Sequence, residues 1–560
     1  MRICLKACTT SRVEVMSSVE SKNVSPTHQG AGRSAFLVAA GILLSRLVGL
    51  VRLRVFSHYF GLQSEAADAF NAAFRIPNIL QNLFGEGVLS ASFIPVYASL
   101  LARDDRAEAD RVAGAIASLL VLAMSFFVLV GVLATPLLIT LIAPGFAGQQ
   151  RDLTIRLVRV LFPSIALLVL SAWCLGILNS HRKFFLSYAA PVVFNLTMIA
   201  TLLIFGDQRA QDRLAEILAW GSVVGSALQF GIQLPVVLRL ATRLRLGLGW
   251  RSANVGAVVR NFAPVFVSRG VVQLSAYVDT LLASLLPTGA VTGLFNAQLL
   301  YTLPVSLFGM SVSAAELPSM SSAIGDHQAI AAQLRQRLDA GLRRIAFFIV
   351  PSSMGFLALG DVIAAALLQT GRFTHDDAVY VWGILAGSTI GLLASTLGRL
   401  YASTYYALRD TRTPLRYAII RVILTTVLGY ACAIHLPPLL GMNLKWGVAG
   451  LTSSAGLAGW VEFILLRRTL NDRIGRTGLA PSFVAKLWAA ATAGAALGWV
   501  IKLSLAPSNP IVAAVLILGP YGFTYLGVTY LIGLPEVHAV IRRVPAFWSK
   551  TGRVTRSATK

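Results

Sequence analysis

Charged and amide side chains interrupt two neighbouring apolar stretches near the start of this chain. The first stretch, Phe36 to Val51, contains Arg46, and Arg52 and Arg54 follow it. In the second, polar residues recur at helical spacing and fall within one quarter-turn arc: Asp68, Asn71, Arg75, Asn78, Asn82 and Glu86. An ionisable group at membrane depth costs about 3 kcal/mol, so the pattern predicts a wet cavity. Snorkelling to the headgroups is the alternative for Arg54 and could apply to Arg52, but not to Arg46 or the stripe.

Composition identifies the setting of these residues. The 560 residues are 56% hydrophobic and only 13% charged, which is typical of a protein that crosses the membrane many times. The net charge of +24 resides mainly in short connections between apolar runs. That distribution is the positive-inside pattern, and it disfavours nucleic acid as a partner. The four cysteines show neither a disulfide framework nor a zinc site.

The apolar runs predict an all-α membrane protein. Fourteen helical spans are expected at 34–56, 68–101, 112–143, 154–179, 186–206, 214–238, 258–286, 291–324, 340–369, 378–407, 415–435, 446–467, 483–505 and 511–533. Residues 1–33 are polar and read as a disordered tail. Alternate loops are poor in Lys and Arg, at 57–67, 144–152, 207–213, 287–290, 370–377, 436–445 and 506–510. The other loops are basic, and both tails lie on their side, so both termini are predicted to be cytoplasmic.

The chain also repeats itself at a nearly constant offset. Ser45-Arg46 recurs 223 residues later as Ser268-Arg269, and three further short matches recur at offsets of 223 to 226. The offset spans six helices, so the halves have the same orientation, related by an axis along the membrane normal. The predicted units are a six-helix bundle at 34–238, a basic linker at 239–257, a second six-helix bundle at 258–467, two extra helices within 468–535 and a basic tail at 536–560.

Catalytic chemistry is missing from the sequence. No Gly-Lys pair occurs, so there is no phosphate-binding loop of the Walker type. The seven histidines are scattered, and no nucleophile–base constellation can be picked out. We therefore expect a secondary transporter that works by alternating access, not an enzyme.

The interior charges indicate what is transported. Arginine binds phosphate bidentately, and the arginines at the predicted interface favour an anionic, phosphate-bearing substrate. The candidate substrate-binding residues are Arg46, Arg52, Asp68, Arg75, Asn78 and Arg269. Asp279, in an apolar setting, must be protonated, paired or bound to a cation. Arg269 lies about 15 Å away from it along a helix axis, too far to pair.

Several motifs resemble the lipid II flippases of bacterial cell-wall synthesis, the MurJ/MviN family of the multidrug/oligosaccharidyl-lipid/polysaccharide exporter superfamily. They are Ser45-Arg-Leu-Val-Gly-Leu-Val-Arg52, Asp68-Ala-Phe-x-x-Ala-Phe-Arg-Ile-Pro-Asn78, Phe84-Gly-Glu-Gly87, Ala143-Pro-Gly-Phe-Ala147, Gln369-Thr-Gly-Arg-Phe-Thr374 and Tyr406-Ala-Leu-Arg-Asp-Thr-Arg-Thr-Pro414. The resemblance implies a V-shaped inner-membrane protein that moves undecaprenyl-pyrophosphate-linked disaccharide-pentapeptide to the periplasmic leaflet. It also implies contact with membrane lipid and possible contact with cell-wall polymerases.

The resemblance assigns roles to single residues. The cavity arginines of the family correspond to Arg46 and Arg52, and its acidic residue of helix 2 corresponds to Asp68. A sodium ion binds some members between helices 7, 11 and 12. The matching residues here are Asp279, Asp410, Val422 and Thr426. No other cofactor is implied.

This sequence departs from the family pattern at several positions. An acidic residue after the second arginine is Leu53 here, a cavity arginine is Gln81, and a sodium-site asparagine is Tyr406. The helix-8 Asp-Arg pair reads Gln298-Leu299, with Thr302 in place of a further acidic residue. The substrate contacts are therefore redistributed, or the cargo differs. The alternatives to lipid II transport are export of another anionic polyprenyl-linked glycan or a drug, and a transport-inactive scaffold for cell-wall synthesis.

The alternation of loop charge predicts which loops face outward. In a variant without the native cysteines, single cysteines placed in loops 57–67 and 370–377 should react with an impermeant thiol reagent added to intact cells. Cysteines placed in 239–251 should react only after the cells are opened. The reverse labelling pattern would contradict the predicted orientation.

Overall fold

The computed structural model describes residues 28–207, 210–244, 246–247, 249, 252–321, 326–505 and 509–538. They form the helices α1 His28–Phe60, α2 Glu65–Phe84, α3 Glu86–Ala102, α4 Arg106–Leu133, α5 Thr135–Ile142, α6 Gly148–Ser180, α7 Phe184–Phe205, α8 Gln211–Leu240, α9 Ala253–Ser284, α10 Ala290–Pro304, α11 Ser311–Ser321, α12 His327–Leu368, α13 His375–Thr389, α14 Leu392–Ala407, α15 Arg412–Tyr430, α16 Leu436–Leu439, α17 Gly447–Ile474, α18 Pro481–Leu505 and α19 Pro510–Leu531. Turns of π-helix, Val305–Met310 and Ala431–His435, join α10 to α11 and α15 to α16.

These helices follow one another as fourteen runs, in agreement with the predicted all-α membrane fold. Eleven runs are long and apolar enough to cross a membrane, and the bent pair α13–α14 makes a twelfth. The two remaining long helices, α1 and α9, carry the candidate arginines Arg46, Arg52 and Arg269. Fourteen spans are therefore consistent with the described residues.

Three predicted continuous helices are broken in the structure, and glycine explains two of the breaks. Between α2 and α3, a Cβ atom on Gly85 would lie 2.3 Å from the carbonyl oxygen of Gln81. Between α13 and α14, which meet at 45°, a Cβ atom on Gly391 would lie 2.4 Å from the Cα atom of Gly456. The chain bends where only glycine allows the backbones to approach. The third break, between α4 and α5, lies at Ala134, two residues before Pro136.

The helix boundaries differ from the predicted ones mainly at the start of the chain. Helix α1 begins at His28, inside the predicted tail of residues 1–33. The sequence from His28 to Arg33 contains no proline, whereas Pro26 lies just before it. The rest of the predicted tail, residues 1–27, lies outside the described residues, as does the basic segment 539–560.

The two halves repeat the same pattern of helix packing, which confirms the parallel repeat. In the first half α1 packs on α7, α7 on α8, and α4 on α6. In the second half the equivalent helices pack in the same way, with α9 on α15, α15 on α17, and α12 on α13. Each half is built around its own cluster of buried apolar side chains. Rigid halves of this kind can rotate against each other.

The two extra helices, α18 and α19, are fastened to α12 by hydrogen bonds to its backbone. Pro351 has no N–H, so the carbonyl of Phe347 loses its helical donor, and the Tyr525 hydroxyl donates to that carbonyl at 2.6 Å. Further along α12 the backbone is non-helical at Leu359. There, the Trp499 indole donates to the carbonyl of Ala358 at 2.9 Å. The extra helices thus bind two carbonyls of α12, one of which lacks its helical donor because of Pro351.

The Tyr525 hydroxyl should therefore contribute to stability. Tyr525→Phe leaves the carbonyl of Phe347 buried without a donor, which costs about 1–3 kcal/mol. We expect a lower midpoint of thermal unfolding in detergent. Tyr530→Phe is the matched control because Tyr530 lies on the same helix with 53% of its surface exposed. Equal midpoints for Tyr525→Phe and the wild type would contradict the role of this bond.

Candidate functional site

A buried carboxylate of the first half binds the first turn of a helix of the second half. Asp68, 1% exposed, accepts hydrogen bonds from the backbone N–H groups of Gly289 at 2.7 Å and Thr292 at 2.8 Å. The hydroxyl of Thr292 donates to the same carboxylate at 2.6 Å. Gly289 has φ +93°, a conformation that favours glycine. The carboxylate therefore satisfies free N–H groups at the start of α10 and complements the helix dipole there.

Other residues of the polar stripe also contact α10. Asn71 donates to the hydroxyl of Thr292 at 3.1 Å, and Arg75 donates to Gln298 at 3.3 Å. The sequence predicted that the stripe faces a water-filled cavity. In the structure these positions bind the second half directly. Gln298 in turn donates to Asp279 at 3.4 Å. A polar chain thus runs from the first half, through Gln298, to Asp279 of the second half.

An arginine of the first half caps another helix of the second half. Arg54, near the end of α1, donates to the carbonyls of Ala366 at 2.7 Å and Gln369 at 3.5 Å. These carbonyls belong to the carboxyl end of α12, where a positive charge is favourable. Arg54 was expected either to line the cavity or to snorkel. In the structure it joins the two halves instead.

The loops poor in Lys and Arg meet around these two caps. The N–H of Arg372 donates to the carbonyl of His58 at 2.9 Å, and the His58 ring contacts the Thr370 hydroxyl at 2.9 Å. A Cβ atom on Gly145 would lie 2.0 Å from the carbonyl oxygen of Ser284, so the two backbones touch. The halves are therefore closed against each other at this end of the molecule, which we call the outer end.

The predicted cavity arginines make different contacts in the structure. Arg52 points into the first half, where its guanidinium donates to the sulfur of Met198 at 3.3 Å. The same group lies 5.8 Å from the ring centre of Phe74 and 6.0 Å from that of Phe194. Arg46 is exposed on α1. Arg75 donates to Gln298 of the second half.

Two further candidate residues remain, together with one position at which this sequence differs from the family pattern. Asn78 is half-buried on α2. Arg269 belongs to α9, but its side chain lies outside the described part of the chain. Leu53, which stands where the family has an acidic residue, is 4% exposed within the apolar cluster of the second half. Leu53 of the first half therefore packs against apolar side chains of the second.

The second half contains a polar cavity of about 190 Å³. Some of the residues that line it were not identified from the sequence. It is lined by Asp279, Gln298, Tyr301, Ser395, Arg399 and Arg421, among others. Arg421 forms an ion pair with Glu462 at 3.0 Å. Both lie in apolar helices, so the rule that drew attention to Arg46, a charge within an apolar span, would also have identified them.

The residues matched to a sodium site have different contacts in the structure. Asp279 lines the cavity, whereas Asp410 lies at the start of α15 and accepts bonds from the N–H of Thr413 at 3.0 Å and from Arg473 at 2.7 Å. The hydrogen bonds from Thr413 and the nearby Arg473 lower the pKa of Asp410 to about 2, so it is ionised at neutral pH. The carbonyl of Val422 already accepts from the Thr426 hydroxyl at 2.8 Å.

Comparison with known proteins identifies the family. The sequence profile described as Lipid II flippase MurJ matches residues 56–519. The chain belongs to this family. A protein of Burkholderia cenocepacia described as lipid II flippase MurJ is 31% identical over 447 residues, which cover 79% of this chain and 84% of that protein. A probable lipid II flippase MurJ of Bdellovibrio bacteriovorus is 30% identical over 444 residues, covering 78% and 82%.

Solved structures show the same fold. A lipid II flippase MurJ in an inward closed conformation superposes with a TM-score of 0.73 at 23% identity, covering 89% of this chain and 98% of that one. An inward-facing multidrug resistance transporter of the MATE family, from the MOP superfamily, superposes with a TM-score of 0.60 at 17% identity, covering 78% and 98%. The chain therefore has the fold of a membrane transporter with two repeated halves.

The contact between Asp68 and α10 should hold the outer end closed. Asp68→Asn removes the charge and turns an N–H group toward either Gly289 or Thr292, so it should weaken bonds that are worth about 1.5–3 kcal/mol each. Ser57 is a suitable reporter because it is 1% exposed and its hydroxyl has no hydrogen-bond partner. We expect Ser57→Cys to react with an impermeant thiol reagent several times faster when combined with Asp68→Asn.

Glu65→Gln provides the control for this measurement. Glu65 lies in the same first turn of α2 but is exposed. It should leave the labelling rate unchanged. An unchanged rate in the Asp68→Asn variant as well would show that the outer end is held by other contacts.

Proposed function

We propose that this protein is a lipid II flippase of the bacterial inner membrane. Its cargo is the undecaprenyl-pyrophosphate-linked disaccharide-pentapeptide, which it moves from the cytoplasmic to the periplasmic leaflet without covalent chemistry. Membership of the MurJ family and the positive-inside distribution of charge support this assignment. Both termini are then cytoplasmic, and the outer end is periplasmic.

The observation that carries the mechanism is the bond between Asp68 and the first turn of α10. It joins the halves at the outer end through hydrogen bonds, and the first half also supplies Arg54 to the end of α12. Such contacts can exchange for water when the halves rotate, because each group is well hydrated when exposed. We propose that the closed state binds substrate from the cytoplasm and that breaking both caps opens the periplasmic side.

The arginines of the first helix are proposed to bind the pyrophosphate. Arg46 is exposed on α1, within an apolar span, which is costly unless it faces water or an anion. Arg52 lies against the rings of Phe74 and Phe194 and would reach the substrate only by turning away from them. Arg46 is therefore the first contact, with Arg52 and Arg269 as further ones.

A growth test separates a flippase from a transport-inactive scaffold. In cells depleted of their own lipid II flippase, Arg46→Ala should abolish rescue while leaving folded protein in the membrane. Arg46→Lys should rescue poorly, because an ammonium group retains the charge but loses the bidentate fork. A scaffold that only contacts a cell-wall polymerase should tolerate both changes.

The control for the growth test is Arg416→Ala. Arg416 is exposed near the basic start of α15, outside the proposed site, and its loss should leave rescue intact. Full rescue by the double variant Arg46→Ala, Arg269→Ala would contradict the flippase assignment. Rescue failure together with export of a different polyprenyl-linked glycan would favour that cargo instead.

Coupling to a cation gradient is proposed to act through Asp279. One oxygen of its carboxylate accepts from Gln298, and the other is buried without a donor. Such an oxygen could accept a proton or a sodium ion. If sodium is the coupling ion, transport in vesicles should rise with sodium for the wild type and lose that dependence in Asp279→Asn. The same rate with and without sodium in both proteins would remove sodium from the mechanism.

A further inference from the structure

The charges around the cavity of the second half are unequally satisfied. The Arg421 guanidinium is paired with Glu462 at 3.0 Å, and the Tyr301 hydroxyl is bonded to the hydroxyl of Ser395 at 2.7 Å. The Asp279 carboxylate accepts a hydrogen bond from Gln298 and is close enough to Arg75 and Arg421 to feel their charges. Most of the polar groups facing this cavity have partners; among the charged side chains that line it there is one exception, besides the donorless oxygen of Asp279.

That exception is Arg399. Its side chain lines the cavity and is exposed to it, and within the described part of the chain it makes no hydrogen bond or ion pair. It lies within the span formed by α13 and α14, and the nearby Glu462 carboxylate is already paired with Arg421. A charge without a direct partner there is costly unless it serves a ligand or faces water. The Tyr301 hydroxyl is near enough to feel its charge. The Arg399 guanidinium supplies several N–H donors for anionic oxygen, and the Tyr301 hydroxyl adds one when it turns from Ser395 toward the anion.

We propose that Arg399, with Tyr301, forms a second anion-binding subsite for the headgroup of the transported lipid. The inference rests on the proposed function and goes beyond it, because it assigns the second half a contact of its own. The cavity, about 190 Å³, is large enough for several waters and can admit one carboxylate or phosphate group.

The position of the subsite gives it a role in transport. Arg46 and Arg52 belong to the first half, and Arg399 belongs to the second. One headgroup that carries separate anionic groups would bridge the halves by binding both sets. The binding energy of that headgroup would then depend on the relative position of the halves. A ligand whose affinity differs between two conformations shifts the equilibrium between them.

The test compares the binding of three lipids to the full-length protein in nanodiscs. The probes are the undecaprenyl-pyrophosphate-linked disaccharide-pentapeptide, the same lipid with its peptide carboxylates amidated, and undecaprenyl pyrophosphate. Arg399→Gln should bind the complete lipid at least about tenfold more weakly, the usual effect of losing a charge-assisted hydrogen bond. Arg399→Lys should lie between Arg399→Gln and the wild type. Arg416→Gln, which removes an exposed arginine of α15, should match the wild type.

The three lipids identify which anion occupies the subsite. If a peptide carboxylate occupies it, Arg399→Gln and the wild type should bind the amidated lipid and undecaprenyl pyrophosphate equally well. If pyrophosphate occupies it, Arg399→Gln should weaken the binding of all three lipids by a similar factor while Arg416→Gln does not. Either result supports the subsite and names its anion.

Other results would overturn the inference. Unchanged affinity of Arg399→Gln for all three lipids would do so, and so would an equal loss in Arg416→Gln. If Arg399→Gln does not fold, Arg399→Lys decides, and affinity equal to the wild type would then overturn the subsite. A wild-type protein that binds none of the lipids would overturn the proposed function, whereas a failure confined to the Arg399 variants would leave that function intact.

Discussion

The hydrogen bonds between Asp68 and the start of α10 are the interaction on which the arrangement of the two halves depends. A buried carboxylate needs several donors, and the first half alone does not supply them. The start of a helix has N–H groups without intrahelical partners, and α10 presents two of them together with a threonine hydroxyl. The carboxylate of one half and the N–H groups of the other therefore satisfy each other. In the same way, Arg54 of the first half satisfies carbonyls at the carboxyl end of α12.

This dependence explains how the chain tolerates its departures from the family pattern. Gln298, in place of an acidic residue, still links Arg75 to Asp279, because an amide can accept from one and donate to the other. Leu53 packs into the apolar cluster of the second half. At these positions the halves are joined by an amide and an apolar side chain, and the cationic groups of the second half, Arg399 and Arg421, line a cavity of their own.

Much of the fold could be predicted from the sequence because the membrane imposes simple rules. Long apolar runs indicated the spans, and the recurrence of Ser45-Arg46 as Ser268-Arg269 indicated the repeat. Helical periodicity also placed Asp68 and Arg75 on one face. The partners of that face depend on where α10 begins, which follows from the packing of distant helices and not from local pattern. For the same reason the sequence did not reveal that Arg54 caps α12, or that Arg52 turns toward Phe74.

The bonds that fasten α18 and α19 to α12 have a consequence for spectroscopy. Because Tyr525 and Trp499 bind the backbone of α12 itself, the last two helices follow the second half as one body. Leu531, 84% exposed at the end of α19, is outside both the contacts between the halves and the polar cavity. A fluorophore at Leu531 can be paired with one on an exposed position of α4, which belongs to the first half. Rotation of the halves would then change the efficiency of energy transfer between the two fluorophores. The transport path would remain unlabelled, so single molecules could be followed while they turn over.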